Sequence, residues 1–135
     1  MNVTGPIRTI IAANGAANTI FSGRVYANAL PQSNGTLPAA TVTIDNVRAT
    51  NTKTSASDLD FVSVQLVVVG DSYADAEDGA KAIRTAIDGY QGTVTVSGTP
   101  YKIELIEFKP PYSGGFDEQT KLQFVTATYS VAIRP

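Results

Sequence analysis

The sequence contains no cysteine, no histidine and no tryptophan. Without the first two, disulfides, thiolate nucleophiles, imidazole bases and the usual zinc, copper or iron ligand sets are all excluded. Absence of cysteine fits either redox compartment and so places nothing. An excess of positive charge is also missing: ten Lys and Arg stand against twelve Asp and Glu, for a net charge of −2 and a pI near 4.9. There is therefore no basic footprint for reading a phosphate backbone. No apolar run approaches the ~20 residues of a membrane span, and the opening MNVTGPIRTII lacks a charged segment leading into a long apolar one. The chain is expected to be soluble and unprocessed.

What is present is a chain of 135 residues, 43% apolar, which suffices for one domain over residues 1–135 with a core of its own. Val, Ile and Thr make up 39 of the 135 residues. Such β-branched side chains favour pleated, half-buried surfaces, so strands should dominate.

Thr4 or Gly5 can cap a short helix, with Pro6 in its first turn and Ile7, Ile10 and Ile11 on one face, ending near Asn14-Gly15. Residues 16–38 are rich in small residues, with Asn34-Gly35, Pro31 and Pro38, and read as a meandering connection with one extended piece at 24–26. Thr41 to Asp45 alternates with period two and reads as a half-buried strand, Val42 and Ile44 inward. Residues 49–60, ATNTKTSASDLD, are too poor in apolar side chains to order themselves and read as a projecting loop. Phe61 to Val69 alternates and then turns apolar on both faces, as a central strand does.

The clearest helix follows. Asp71 and Ser72 are its cap candidates, Asp75, Glu77 and Asp78 suit the positive end of its dipole, and Gly89 ends it. Its inward stripe is Ala76, Ala80, Ile83 and Ile87, and Glu77 with Lys81 forms an i,i+4 pair on the solvent side. Thr93 to Val96 and Tyr101 to Phe108 flank the turn Ser97-Gly98-Thr99-Pro100 as a hairpin, Val94 and Val96 facing Tyr101, Ile103 and Leu105. Lys109 to Asp117 holds two prolines and two glycines and reads as a second loop. Residues 121–133 read as a long closing strand, with Leu122 and Phe124 on one face and Val125, Ala127, Tyr129, Val131 and Ile133 on the other. The fold class expected is α+β: a mixed, mostly antiparallel sheet with one long helix packed on it and a short helix at the start.

Only carboxylates remain as catalytic material. Asp58 with Asp60, Glu104 with Glu107, and Asp117 with Glu118 could each be drawn as an acid and base, but none sits in a recognisable motif, Asp117 and Glu118 as well as Glu104 and Glu107 would point to opposite strand faces, and surface charge is the simpler reading. A hydrolase built on Asp58, Asp60, Glu104 and Glu107 is thus a minor alternative, and Asp58-x-Asp60 lacks the Gly and Glu of a calcium loop. A sugar-binding module using Tyr26, Tyr90, Tyr101 and Tyr112 is a second alternative, disfavoured by the absent tryptophan. No phosphate-cradling glycine motif occurs. Tyr112 and Phe116, set among Gly and Pro, read either as interface anchors or as a lid over the domain's own core.

The order of these features resembles the tail terminator, or tail completion, proteins of long-tailed bacteriophages. The resemblance rests on the opening helix leading to Gly23-Arg24-Val25-Tyr26, on Leu30-Pro31 and Leu37-Pro38 before a strand, on 61–69 feeding DSYADAEDGAKAIRTAIDGYQG, and on the final long strand. Asn28 to Thr36 departs from it in being rich in Asn and Gly. The resemblance implies a non-enzymatic structural protein with no cofactor and no metal. It would form a ring, six-fold as a rule, that caps the tail tube, ends its polymerisation and offers the surface to which the head's neck attaches. The implied partners are further copies of the chain, the tail-tube protein and the neck connector, with DNA passing through the lumen without specific binding and no membrane contact. The implied location is the head-proximal end of the virion tail, after assembly in the host cytoplasm. A neck connector or a tail-tube subunit is the nearest alternative. By position in that fold, the subunit or tube contacts are expected at Lys53, Asp58, Asp60, Lys109, Tyr112, Phe116, Asp117 and Glu118.

Overall fold

The opening isoleucines find their partners in a helix, α1, at Thr4–Ala13, which buries Pro6, Ile7, Ile10 and Ile11. The structure is a computed structural model and describes residues 3–27, 37–49, 59–118 and 122–134. After α1 the chain does not meander at once. Asn14 breaks the helix and immediately caps a second one, α2 at Gly15–Phe21, by accepting a 3.0 Å hydrogen bond from the Ala17 amide on its side chain. Ala17 and Phe21, four apart, form its buried stripe, and Ser22 ends it in a left-handed conformation with φ of 47°. The expected extended piece follows as β1, Val25–Ala27. Residues 28–36 of the expected connection lie outside the described residues.

The first long strand, β2, runs from Ala39 to Ala49, well beyond the expected 41–45, with a register shift between Ile44 and Asn46. The following strand β3, Asp60–Gly70, alternates strictly between buried and half-buried residues. Of the loop expected at 49–60, the two ends are strand and residues 50–58 are outside the described residues. Helix α3, Tyr73–Ile87, is capped by Ser72, whose hydroxyl accepts from the Asp75 amide at 3.2 Å. Ala76, Ala80, Ile83 and Ile87 are buried as expected, joined by Gly79. At Gly79 a Cβ would stand 2.8 Å from Val68 Cγ1 and 2.9 Å from Phe21 Cζ, so the bare glycine is what lets β3 and α2 approach the helix. Arg84, in the last turn of α3, forms an i,i+4 ion pair with the C-cap residue Asp88 at 3.4 Å.

The hairpin forms from β4, Gly92–Val96, and β5, Thr99–Asp117, around a two-residue turn in which Ser97 and Gly98 both take positive φ, the geometry that matches strand twist. Thr99 and Pro100 therefore belong to the strand, Val96 pairing with Thr99 and Val94 with Tyr101. The closing strand β6, Leu122–Arg134, buries Val125, Ala127, Tyr129, Val131 and Ile133.

The strands lie in the order β1-β2-β3-β6-β5-β4, parallel only between β1 and β2 and antiparallel elsewhere, which is the mixed sheet and α+β class expected. Helix α3 lies on β3, β6 and β5, while α1 touches β1, β2 and β4. Since β1 and β4 are the two ends of the sheet, α1 can reach both because the sheet curls around it. Val62, Val64, Leu66 and Val68 of β3 join the inward residues of β6 and the helix stripes in one core.

Candidate partner-binding surface

The segment Lys109 to Asp117, expected as a loop, is strand. Thr99 to Ile103 of β5 pair with β4, and from Lys102 onward the strand pairs with β6 on its other side. Beyond Ile103 its outward edge is completed by other means: Ile106 donates to the Tyr90 carbonyl at 3.1 Å and accepts from the Gly89 amide at 2.7 Å. The Phe108 amide donates to Asp88 Oδ1 at 3.1 Å. With the amides of residues 106 and 108 pointing outward, Pro110 takes the next outward place, where an edge strand needs no donor. Pro110 and Pro111 then fall into a bulge in which pairing to β6 jumps from Lys109–Thr128 to Tyr112–Ala127. Pairing resumes through Asp117–Leu122. Among the described residues no element pairs with the outward edge of 112–117.

Residues opposite one another in an antiparallel pair share a face. Tyr112, Gly114 and Phe116 face Ala127, Val125 and Gln123, and so belong to the side of the sheet that carries α3. Tyr112 is 45% exposed, Phe116 47% and Tyr73, the first residue of α3, 44%. The Tyr73 ring lies against Gly114, between the other two along the strand. Phe124 covers Gly115, its register partner, on the opposite face. Both glycines therefore sit under aromatic rings, an arrangement that supports a strand poor in side chains of its own.

Next to this strip, a groove of about 530 Å³ runs between α3 and the β5–β6 pair, lined by Glu77, Lys81, Arg84, Phe108, Tyr112 and Tyr129. Arg84 stands 4.0 Å over the Phe108 ring while ion-pairing with Asp88. Phe108 packs at 5.7 Å on Tyr112 and edge-on at 5.5 Å on Tyr129. The Tyr129 hydroxyl is buried and has no hydrogen-bond partner among the described residues, and burial, then the Asp88 carboxylate, pushes its pKa far above the ordinary 10.0. Burial and then the Glu77 carboxylate raise that of Tyr112 more modestly.

The eight residues expected at contacts are thus distributed unevenly. Tyr112 and Phe116 share one exposed face, Asp117 ends β5 and Glu118 is exposed just beyond it. Lys109 is exposed and pairs with Glu107 at 3.4 Å. Asp60 is 7% exposed at the start of β3, where it pairs with Ala49 of β2 and Ile133 of β6. Lys53 and Asp58 lie outside the described residues. Tyr73, Phe108, Arg84 and Tyr129 were not legible as parts of this surface. The available signal was Gly114-Gly115, since two adjacent residues without side chains leave a space that aromatic rings elsewhere can fill.

The other chemistries find no centre. Glu104 is held by Arg134 at 2.6 Å, with Lys102 at 3.6 Å, and the hydrogen bond from Arg134 lowers its pKa. Among the described residues no three acidic groups gather as a metal would require. Tyr90 and Tyr101 pack against the core, so they form no open platform with Tyr26 and Tyr112. Among the described residues no helix is long and apolar enough to cross a membrane.

No family model matches the sequence, and no curated protein matches it. Among solved structures the fold is similar to a protein from the virion of a native gene transfer agent particle, with a TM-score of 0.72 and 16% identity, covering 98% of this chain and 95% of that one. At that identity the similarity speaks for the fold.

Proposed function

We propose that this chain is a non-enzymatic structural protein of a tailed, phage-like particle, and within it the tail terminator. The observation that carries the reading is the end-to-end similarity of fold to a gene transfer agent virion protein, 98% of one chain on 95% of the other. It is supported by the order of sequence features shared with tail terminators, and by an exposed aromatic strip where a catalytic centre would need converging polar groups.

In this reading copies of the chain join head to tail into a closed ring, the arrangement that stops at a fixed number of subunits. One face of the ring sits on the last tail-tube ring and the other receives the neck. The net charge of −2 suits a lumen through which DNA slides without sticking.

The test is electron microscopy of particles made without the gene for this chain, scoring tail length and head attachment. Overlong tails of uncontrolled length beside filled, unattached heads are expected. Tails of normal length lacking heads would make the chain a neck connector, and intact particles would overturn the virion reading.

A further inference from the structure

The edge of β5 at 112–117, unpaired among the described residues, carries a self-complementary sequence. We propose that in the free chain this edge pairs, antiparallel and across a two-fold axis, with the same edge of a second copy.

The pairing is self-complementary. With Gly114 of one copy opposite the partner's Gly114, Tyr112 falls opposite the partner's Phe116 and Phe116 opposite the partner's Tyr112. All four rings then lie on the face that carries α3, flanked by Tyr73 over each Gly114. Shifting the register by two residues sets an aromatic against glycine and forfeits both aromatic pairs. The two glycines at the centre leave the edge unobstructed by side chains.

Charge selects the direction of pairing. Lys109 precedes the segment and Glu118 follows it, both exposed. Antiparallel pairing brings the partner's Glu118 opposite Pro110, next to Lys109, and does so twice, whereas parallel pairing would set like charges together. Pro110 and Pro111 limit the paired stretch to about six residues, which keeps the contact from spreading along the edge into a fibre. A two-fold pair is isologous and differs in kind from the head-to-tail contact of a ring, so the contact is assigned to the free chain. It rests on the strand edge and holds whether or not the chain terminates a tail.

Sedimentation velocity across a dilution series tests it, with circular dichroism confirming that each variant is folded. The wild-type chain is expected to show a monomer–dimer equilibrium, and Phe116→Lys to weaken it by about tenfold or more. The double variant Tyr112→Glu with Phe116→Lys is expected to restore it, because the register places each new carboxylate opposite a new ammonium. Wild-type chain that is monomeric at every concentration, or a dimer indifferent to Phe116→Lys, would overturn the proposal. Should the double variant lose its fold, hydrogen exchange of the wild-type chain decides: the outward amides of 112, 114 and 116 must gain protection with concentration, and unchanged exchange there sinks the pairing.

Discussion

Tyr73 occupies the place that a side chain on Gly114 would take: a Cβ there would lie 2.5 Å from Tyr73 Cε1 and 2.8 Å from its hydroxyl oxygen. The first residue of α3 and the middle of β5's outer half are fitted to one another, and the exposed aromatic strip exists because of that fit.

Gly114→Ala and Gly79→Ala therefore separate surface from core. At Gly114 the obstacle is the far end of a ring that is 44% exposed and can swing aside, so stability should fall by less than about 1 kcal/mol while the strip loses its middle. At Gly79 the obstacles are Val68 and Phe21, both about 1% exposed, and overpacking should cost about 1 to 3 kcal/mol despite alanine's better helix propensity. Urea unfolding of both variants checks the order, and equal losses would show that Tyr73 is as fixed as the core.

Tyr129→Phe should leave stability at neutral pH unchanged or raise it by up to about 1 kcal/mol, since it removes a buried hydroxyl that has no partner among the described residues. The folded state raises this pKa above 10.0, so it holds the proton more tightly than the unfolded chain. The stability this confers is present below pH 10 and is lost as pH rises beyond it. Thermal melts above pH 10 should accordingly fall more steeply for wild type than for Tyr129→Phe. A variant destabilised at pH 7 would mean that the hydroxyl is satisfied after all.

Asp88→Ala should cost about 1 to 2 kcal/mol, because Asp88 satisfies the outward amide of Phe108 at 3.1 Å while holding Arg84 at 3.4 Å. Asp88→Asn keeps an acceptor for the amide and should recover about half of that. Chemical denaturation, together with hydrogen exchange at the Phe108 amide, reads both effects, and an amide equally protected in all three proteins would remove the assigned role.

Ile83→Asp places a carboxylate at a position 1% exposed in the middle of the core stripe of α3. A loss of about 4 kcal/mol or more is expected, a large share of the roughly 5 to 15 kcal/mol that holds a domain of this size folded. Urea unfolding followed by circular dichroism checks it, and a variant as stable as wild type would refute the packing of α3 on β3 and β6.

Legibility followed the local strength of the pattern. α3 was readable because its cap, dipole charges and stripe agree, and β3 and β6 because alternation over nine or more residues admits one inward face. α2 was missed because GAANTIF carries just Ala17 and Phe21 as an inward signal, and its cap, Asn14, looked like the end of α1. The outer half of β5 was misread because prolines and glycines weigh against strand in isolation. What overrides that bias is tertiary: an outward edge that needs no amide at Pro110, a bulge at 110–111, and the rings of Tyr73 and Phe124 over the glycines. No single-segment pattern contains those facts. The sequence left Tyr112 and Phe116 open between an exposed anchor and a lid over the core, and the structure shows both rings about half exposed.

The position of β6 also bears on how the molecule is made. It is synthesised after every other strand, yet it lies between β3 and β5 and joins the two halves of the sheet. While residues 122–134 are still inside the ribosome, β1-β2-β3 and β4-β5 can exist only as separate ribbons, and α3 has half a surface to rest on. Closure then requires pairings such as Asp60 with Ile133, more than seventy residues apart, which is a slow search compared with forming a hairpin. A chain lacking residues 122–134 is thus kept from presenting the strand edge of 112–117 in its native register, because that register is set by pairing with β6.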